Sequence, residues 1–185
     1  AVEIYMIQGT GHGTFSALPM GAMTGTQSRL AFQPVHGVGV YHLGTDGVYL
    51  FRPGADQRIT DQHFRPIMTG ETIGSIPAMD TTKLANCWLY HHKGRLWFGY
   101  CSSSATYPAD VLLLDITKGR TVHYQYDSEF SALATDHDND RIIACDTDGY
   151  VVEMDHGTTD RGTAVSWQGE TKDFGELRTY VPRAA

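Results

Sequence analysis

Short apolar or aromatic runs separated by turn-forming dipeptides recur along most of this 185-residue chain. Candidate strands at 38–43 and 48–51 flank Thr45-Asp46-Gly47. An Asp-Gly between two such runs is a strong hairpin signal, because a type I′ turn needs positive φ at both central positions. Further candidate strands follow at 87–91, 95–100, 111–115, 121–126, 131–135, 141–145, 150–154 and 164–168. Short strands with turn signals every ~8–12 residues predict an all-β sandwich, barrel or propeller.

Helix signals are weak. One candidate lies within 70–86, where Thr81, Lys83, Leu84 and Ala85 could form a turn or two. The glycine and proline of Gly74-Ser75-Ile76-Pro77 argue against a longer helix there.

A weak internal repeat favours the propeller. Comparable units begin at Tyr41, Trp88 and Ala132, which are 47 and 44 residues apart. A period of ~40–50 residues with four short strands per unit is typical of propeller blades, and closed propellers have typically ~4–8 blades. We therefore expect a propeller-like array of short antiparallel blades that is either incomplete or part of a larger chain.

This pattern predicts three regions. Residues 1–35 form an N-terminal extension or a partial blade, and residues 36–162 form the blades. Residues 163–185 supply a closing strand and a linker to a following region.

Charge and cysteine content exclude several classes of function. The net charge is −7 and no basic run offsets it, so direct nucleic-acid binding is not expected. No apolar run approaches the ~18 residues of a membrane helix. The odd number of cysteines, Cys87, Cys101 and Cys145, predicts free thiols in a reducing compartment, with a Cys87–Cys101 bridge as the alternative.

The densest polar cluster is Asp136-His137-Asp138-Asn139-Asp140, which begins like a calcium-binding loop. Its sixth position is Arg141 rather than Gly, and its twelfth is Thr147 rather than Glu. We therefore interpret it as a hairpin turn in which Asp and Asn bond to nearby amides. Turn chemistry is also expected at Asp46-Gly47 and Asp148-Gly149, and a solvated loop at 155–160.

The other motifs do not predict a catalytic, phosphate-binding or metal-binding site either. Adjacent strand residues point to opposite faces, so His91 and His92 should not share a metal. Gly9-Thr10-Gly11-His12-Gly13 lacks the spacing of a phosphate-binding loop, and Ser102-Ser103-Ser104 lies in a loop. Core packing is the expected role of the remaining aromatic residues, and sugar stacking is the alternative: Trp88, Trp97, Phe98, Tyr100, Tyr107, Tyr124, Tyr126 and Trp167. No catalytic, cofactor-binding or metal-binding residue is assigned.

Three segments resemble structural propeller proteins of tailed bacteriophages and prophages. Residues 39–51, GVYHLGTDGVYLF, resemble a blade of that family, and 110–126 resemble its hairpin. Residues 146–155, 162–165 and 168–174 resemble the segment in which a blade ends and the chain enters a following β domain. The resemblance covers about 15–174 and rests mostly on residues that build blades.

This resemblance implies a structural component of a phage virion, in the tail, nozzle or neck, and no catalytic residues. The expected partners are other virion proteins and copies of the chain in an oligomeric ring. The protein would be made in the bacterial host cytoplasm and act through assembly contacts rather than as an enzyme. A carbohydrate-binding propeller and a glycan-active enzyme are the alternatives.

Overall fold

The computed structural model describes residues 4–21, 24–60, 64–154, 156, 159–160 and 163–164. The expected all-β class is confirmed, since 46% of the residues are in strands and 7% in helices. The chain divides into two compact units, Ala1–Met154 and Asp155–Ala185. In the second unit, β14 (Thr159–Asp160) pairs with β15 (Thr163–Ala164).

The first unit begins with an antiparallel hairpin and continues as three antiparallel sheets whose strands follow chain order. The N-terminal hairpin consists of β1 (Tyr5–Gln8) and β2 (Ser16–Pro19). Sheet I contains β3 (Phe32–Val35), β4 (Gly39–Leu43), β5 (Val48–Arg52) and β6 (Ala55–Arg58). Sheet II contains β7 (Trp88–His92), β8 (Arg95–Tyr100), β9 (Asp110–Asp115) and β10 (Arg120–Gln125). Sheet III contains β11 (Phe130–Asp136), β12 (Arg141–Asp146) and β13 (Val151–Glu153).

Two short helical segments connect sheet I to sheet II. They are α1 (Arg65–Met68) and a 3₁₀ helix at Thr81–Asn86, where the sequence predicts a helical turn or two. Asp80 caps the 3₁₀ helix, because its carboxylate accepts a hydrogen bond from the Thr82 amide. Within the described ranges, no helix is long and apolar enough to span a membrane.

Sheet II is the middle layer of the first unit, because its two faces belong to two different cores. Leu96, Phe98 and Leu112 pack against Tyr41 and Leu50 of sheet I. Their immediate neighbours along the strands point the other way, as the period of two in a strand requires. That second face joins the buried residues of sheet III: Trp88, Trp97, Val111 and Leu113 pack with Phe130, Ile142 and Ala144.

The first strands of the three sheets lie side by side, with β7 between β3 and β11. The Leu89 amide donates to the Leu30 carbonyl next to β3, at 3.0 Å. On the other side, the Tyr90 and Thr135 hydroxyls form a hydrogen bond of 2.6 Å. Successive sheets therefore meet along their first strands as well as through their faces. The described residues form no closed ring of sheets.

The structure corrects two details of the sequence interpretation. Tyr41 lies in the second strand of sheet I, whereas Trp88 and Ala132 lie in first strands, so the repeat units were not aligned. The first strand of sheet I is β3. The hairpin at Asp46-Gly47 exists, but neither residue has positive φ, so it is not type I′. The two-residue turn with positive φ at both positions is Lys93-Gly94, at 50° and 72°.

Trp88 and Ile142 are buried in the core between sheets II and III, where Val152 is half-buried, and Leu112 and Leu114 are buried in the core between sheets I and II. All three cysteines are free thiols, as the sequence predicts, with Cys87 and Cys101 buried and Cys145 exposed. Burial raises the pKa of Cys87 to about 12 and that of Cys101 to about 11. The candidate strand at 164–168 extends beyond the described residues after Ala164.

A methyl group at Gly99 tests the packing of the middle layer. Gly99 pairs with Trp88, and a Cβ there would overlap the indole ring. We expect Gly99→Ala to lower the free energy of unfolding by about 1–3 kcal/mol, measured by urea denaturation. Gly11→Ala is the matched control, because a Cβ at Gly11 meets nothing within 4 Å. Equal stability of the two variants would contradict the packing described.

Candidate assembly surfaces

The acidic cluster at 136–140 is a turn, as its sequence predicts. One carboxylate oxygen of Asp136 accepts from the amides of Asp138 (3.1 Å) and Asn139 (3.4 Å), and the other accepts from the Asn139 side chain (2.7 Å). These hydrogen bonds lower the pKa of Asp136, and the bond from the Asn139 side chain has the largest effect. The described residues contain no group of three or more potential metal ligands.

Asp140 links this turn to the neighbouring sheet. Its carboxylate lies 2.7 Å from Lys93 Nζ, and Lys93 also donates to the Asp140 carbonyl oxygen at 2.9 Å. The hydrogen bond and charge of Lys93 lower the pKa of Asp140. The cluster therefore holds the β11–β12 turn of sheet III against the β7–β8 turn of sheet II.

Asp46 has a similar structural role in sheet I. Its carboxylate accepts a hydrogen bond from the Tyr49 hydroxyl at 2.5 Å and forms ion pairs with Arg58 at 3.0 Å and Arg65 at 3.2 Å. The Tyr49 hydrogen bond is the largest of the effects that lower the pKa of Asp46. Burial and this carboxylate together raise the pKa of Tyr49 to about 12.

The remaining sequence candidates do not converge on a site. His91 stacks on Tyr41 of sheet I, whereas His92 lies 3.8 Å from Asp140 of sheet III, so the two imidazoles point to opposite faces as predicted. The run 9–13 is part of the loop of the N-terminal hairpin, and Ser102-Ser103-Ser104 lies between strands. Gly149 has positive φ in the turn between β12 and β13. The expected loop at 155–160 is described only at 156 and 159–160.

Four of the eight aromatic residues that could stack on a sugar are buried. Trp88, Trp97, Phe98 and Tyr100 are at most 2% exposed, so they form core rather than a platform. Tyr124 and Tyr126 are half-buried against the core between sheets II and III. Trp167 lies outside the described residues. The expected packing role is therefore confirmed for the four buried rings.

Two histidine–aspartate pairs, one buried and one partly buried, are not predicted by the sequence. His42 Nε2 lies 3.1 Å from Asp56 in sheet I, and His123 Nε2 lies 3.0 Å from Asp110 in sheet II. Each pair is more than ten residues apart in sequence, so only the strand register could have predicted it. The His42 and Asp56 side chains are 2% and 1% exposed, so this pair braces the sheet and is closed to a substrate.

A groove crosses the three first strands. It has a volume of about 190 Å³ and is lined mainly by Leu30, Phe32, Trp88, Tyr90, Ala132 and Leu133. Leu30 and Phe32 are 40% and 49% exposed. Arg29 and Gln33 also line this first-strand groove, but its lining is mostly apolar, so it fits another apolar surface better than a polar small molecule.

The second apolar surface is the face of sheet III that points away from sheet II. Its members alternate with the buried residues of the same strands: Ala132, Ala134, Ile143, Cys145 and Val151. We call it the outer face. Val151 is 65% exposed, and Cys145 and Ala134 are exposed as well. An Arg141–Glu153 ion pair of 2.8 Å lies on the same face, since Glu153 is the cross-strand partner of Ile143.

Comparison with family models and with curated proteins gives no relative. No protein-family model matches the chain, and no curated protein is significantly similar to it. The candidate surfaces are therefore interpreted from their geometry alone.

The Tyr49–Asp46 hydrogen bond predicts a pH-dependent contribution to stability. A carboxyl group whose pKa is lower in the folded state than in the unfolded state stabilises the protein at pH values above its unfolded-state pKa. This stabilisation is lost as the pH falls through the folded-state pKa. We expect Tyr49→Phe to raise the pKa of Asp46 towards its ordinary 3.8. At neutral pH this substitution should lower the free energy of unfolding by about 1 kcal/mol, measured by urea denaturation. The loss should be smaller in acid.

Tyr90→Phe is the matched control for this measurement. It removes a hydroxyl that is bonded to the uncharged Thr135, so its cost should not change over the same acidic range. A cost for Tyr49→Phe that stays constant as Asp46 is protonated would contradict the role given to this carboxylate.

Proposed function

We propose that the protein is a structural component of a tailed-phage virion, in the tail, nozzle or neck, and that it acts through contacts with other proteins. The observation that carries the proposal is the unequal exposure of the sheet faces. Strands β8 and β9 of sheet II are buried on both faces, whereas the outer face of sheet III presents Val151, Cys145 and Ala134 to solvent. Apolar surface of this kind marks a protein contact more often than a catalytic site.

The sheets also support the propeller interpretation. Three consecutive antiparallel sheets pack face to face and meet along their first strands, as successive propeller blades do. A closed propeller needs at least ~4 blades, so further sheets would come from another copy or another part of the polypeptide. In this proposal the first-strand groove is a segment of the axial channel.

The chemistry of the polar clusters supports a role without catalysis. Asp136, Asp140 and Asp46 hold turns and join neighbouring strands and sheets, and their carboxylates are paired with amides, hydroxyls or basic side chains. The buried rings of Trp88 and Trp97 cannot stack on a glycan. The proposed partners are therefore other virion proteins and copies of this chain in a ring.

Particle composition tests this proposal. We expect quantitative mass spectrometry of purified tailed particles to find the chain at a fixed copy number per particle. Deletion of its gene should leave heads without complete tails, seen by negative-stain electron microscopy, and a plasmid copy should restore them. Particles that lack the chain and assemble normally after deletion would overturn the proposal.

A further inference from the structure

The N-terminal hairpin is exposed along its whole length. None of the eight residues in β1 and β2 is buried. Tyr5 is 53% exposed, Ile7 72%, Phe15 65% and Leu18 42%. Tyr5 pairs with Pro19 and Ile7 with Ala17, so these four side chains share one face, on which the Tyr5 hydroxyl is their single polar group.

This hairpin also lacks charge. Residues 4–21 contain no Asp, Glu, Lys or Arg, in a chain whose net charge is −7. Soluble proteins commonly place charges on exposed strand edges, which prevents uncontrolled pairing. An isolated two-stranded hairpin is at best marginally stable in water. The exposed apolar area and the missing charges therefore indicate a segment that is completed by contact with another surface.

The outer face of sheet III has the properties of that surface. Its apolar side chains are small or aliphatic, with Ile143 on the central strand β12 and Ala132 and Ala134 on the edge strand β11, so larger side chains such as Tyr5 and Ile7 can pack on them. Its charged residues are Asp136, Arg141 and Glu153; Arg141 and Glu153 form an ion pair, and the Asp136 carboxylate is bonded within its own turn. Two copies that each carry seven negative charges can approach most easily where the hairpin has no charge and the Arg141 and Glu153 charges cancel.

The hairpin and the outer face belong to opposite ends of the row of sheets. Shortly after β2, the Thr24 amide donates to Asp56 of β6 at 3.3 Å. Asp56 is the cross-strand partner of Phe51, so it lies on the face of sheet I that points away from sheet II. The hairpin is thus tethered beyond sheet I, whereas the outer face closes the row beyond sheet II on the other side.

We propose that the N-terminal hairpin of one copy packs on the outer face of sheet III of a second copy. The contact is head-to-tail, because it joins two different surfaces, and such contacts generate closed rings or open filaments. This inference rests on the proposed assembly role and names the surfaces and the partner that the role requires. The interface is an apolar one in which Ile7 and Val151 are central.

Two charge substitutions test the contact from its two sides. Ile7→Asp and Val151→Asp change side chains that are 72% and 65% exposed, so the fold should be unaffected. We expect the unmodified chain to associate with rising concentration in sedimentation velocity. Each variant alone should be monomeric, because the contact would bury an unpaired carboxylate. The affinity of the copies for each other should fall at least about tenfold. Val122→Asp is the matched control, since Val122 is 48% exposed on β10, and it should associate normally.

Mixing the two variants distinguishes head-to-tail contact from the alternatives. The Ile7→Asp copy keeps a working outer face, and the Val151→Asp copy keeps a working hairpin. An equimolar mixture should therefore form dimers and no larger species. A contact between two hairpins or between two outer faces would not be restored by mixing, and that result would overturn the proposal. A monomeric unmodified chain at every concentration would overturn it as well, and so would association that both variants retain.

An oxidation experiment identifies the residues in contact. Cys145 is the exposed natural cysteine on the outer face, so Ile7→Cys should form a disulfide with Cys145 of another copy. A mixture of isotopically light and heavy chains should give mixed-label peptides that join position 7 to Cys145, and Cys145→Ser should abolish them. Peptides with a single label only would place the bond within one chain and overturn the proposal.

The two proposals can fail separately. If the chain is found in phage particles but does not self-associate through these surfaces, the head-to-tail inference is wrong and the virion role stands. If the complementary variants restore dimers but particles lack the chain, the contact stands and the virion role is wrong.

Discussion

Burial of sheet II on both faces is the constraint on which the rest of the first unit depends. In β8 and β9, consecutive side chains such as Leu96 and Trp97 enter different cores, so both faces of these strands must be covered by other sheets. Sheets I and III must therefore flank sheet II, each using one face of its own. This requirement explains why three short meanders, none of which could bury both faces alone, fold as one stack.

Polar interactions fix the relative position of the stacked sheets. The Trp88 indole donates to the Phe130 carbonyl at 2.9 Å, which joins sheet II to sheet III within the core. The Ser28 hydroxyl donates to the Cys87 carbonyl at 2.6 Å, which ties the segment before sheet I to the start of sheet II. Apolar packing is not directional, so these bonds select one arrangement among several that bury similar area.

The sequence predicts the strands whose apolar residues and turns are both clear, and it fails where one of these signals is weak. Sheet II was predicted almost strand by strand, because Val111 to Leu114 and Leu96 to Phe98 are strongly apolar. The edge strands β3 and β6 were missed. β3 contains Pro34, and β6 reads Ala-Asp-Gln-Arg, a composition depleted in strands. The missed β3 also displaced the start of the repeat. Pairs such as His42–Asp56 depend on strand register, which local sequence does not specify.

A row of stacked sheets always has two end faces, and in this chain the two faces differ in solvent exposure. The far face of sheet I holds His42, Tyr49 and Phe51, all less than 9% exposed, and Thr24 lies against it. The far face of sheet III leaves Val151 65% exposed. One end is thus covered by the chain's own segment, whereas the other leaves apolar side chains of its described residues exposed. Because the two ends differ, a contact between copies through them would have a direction. A directional contact can be repeated by every copy until the last one meets the first, and this is the property that a ring requires.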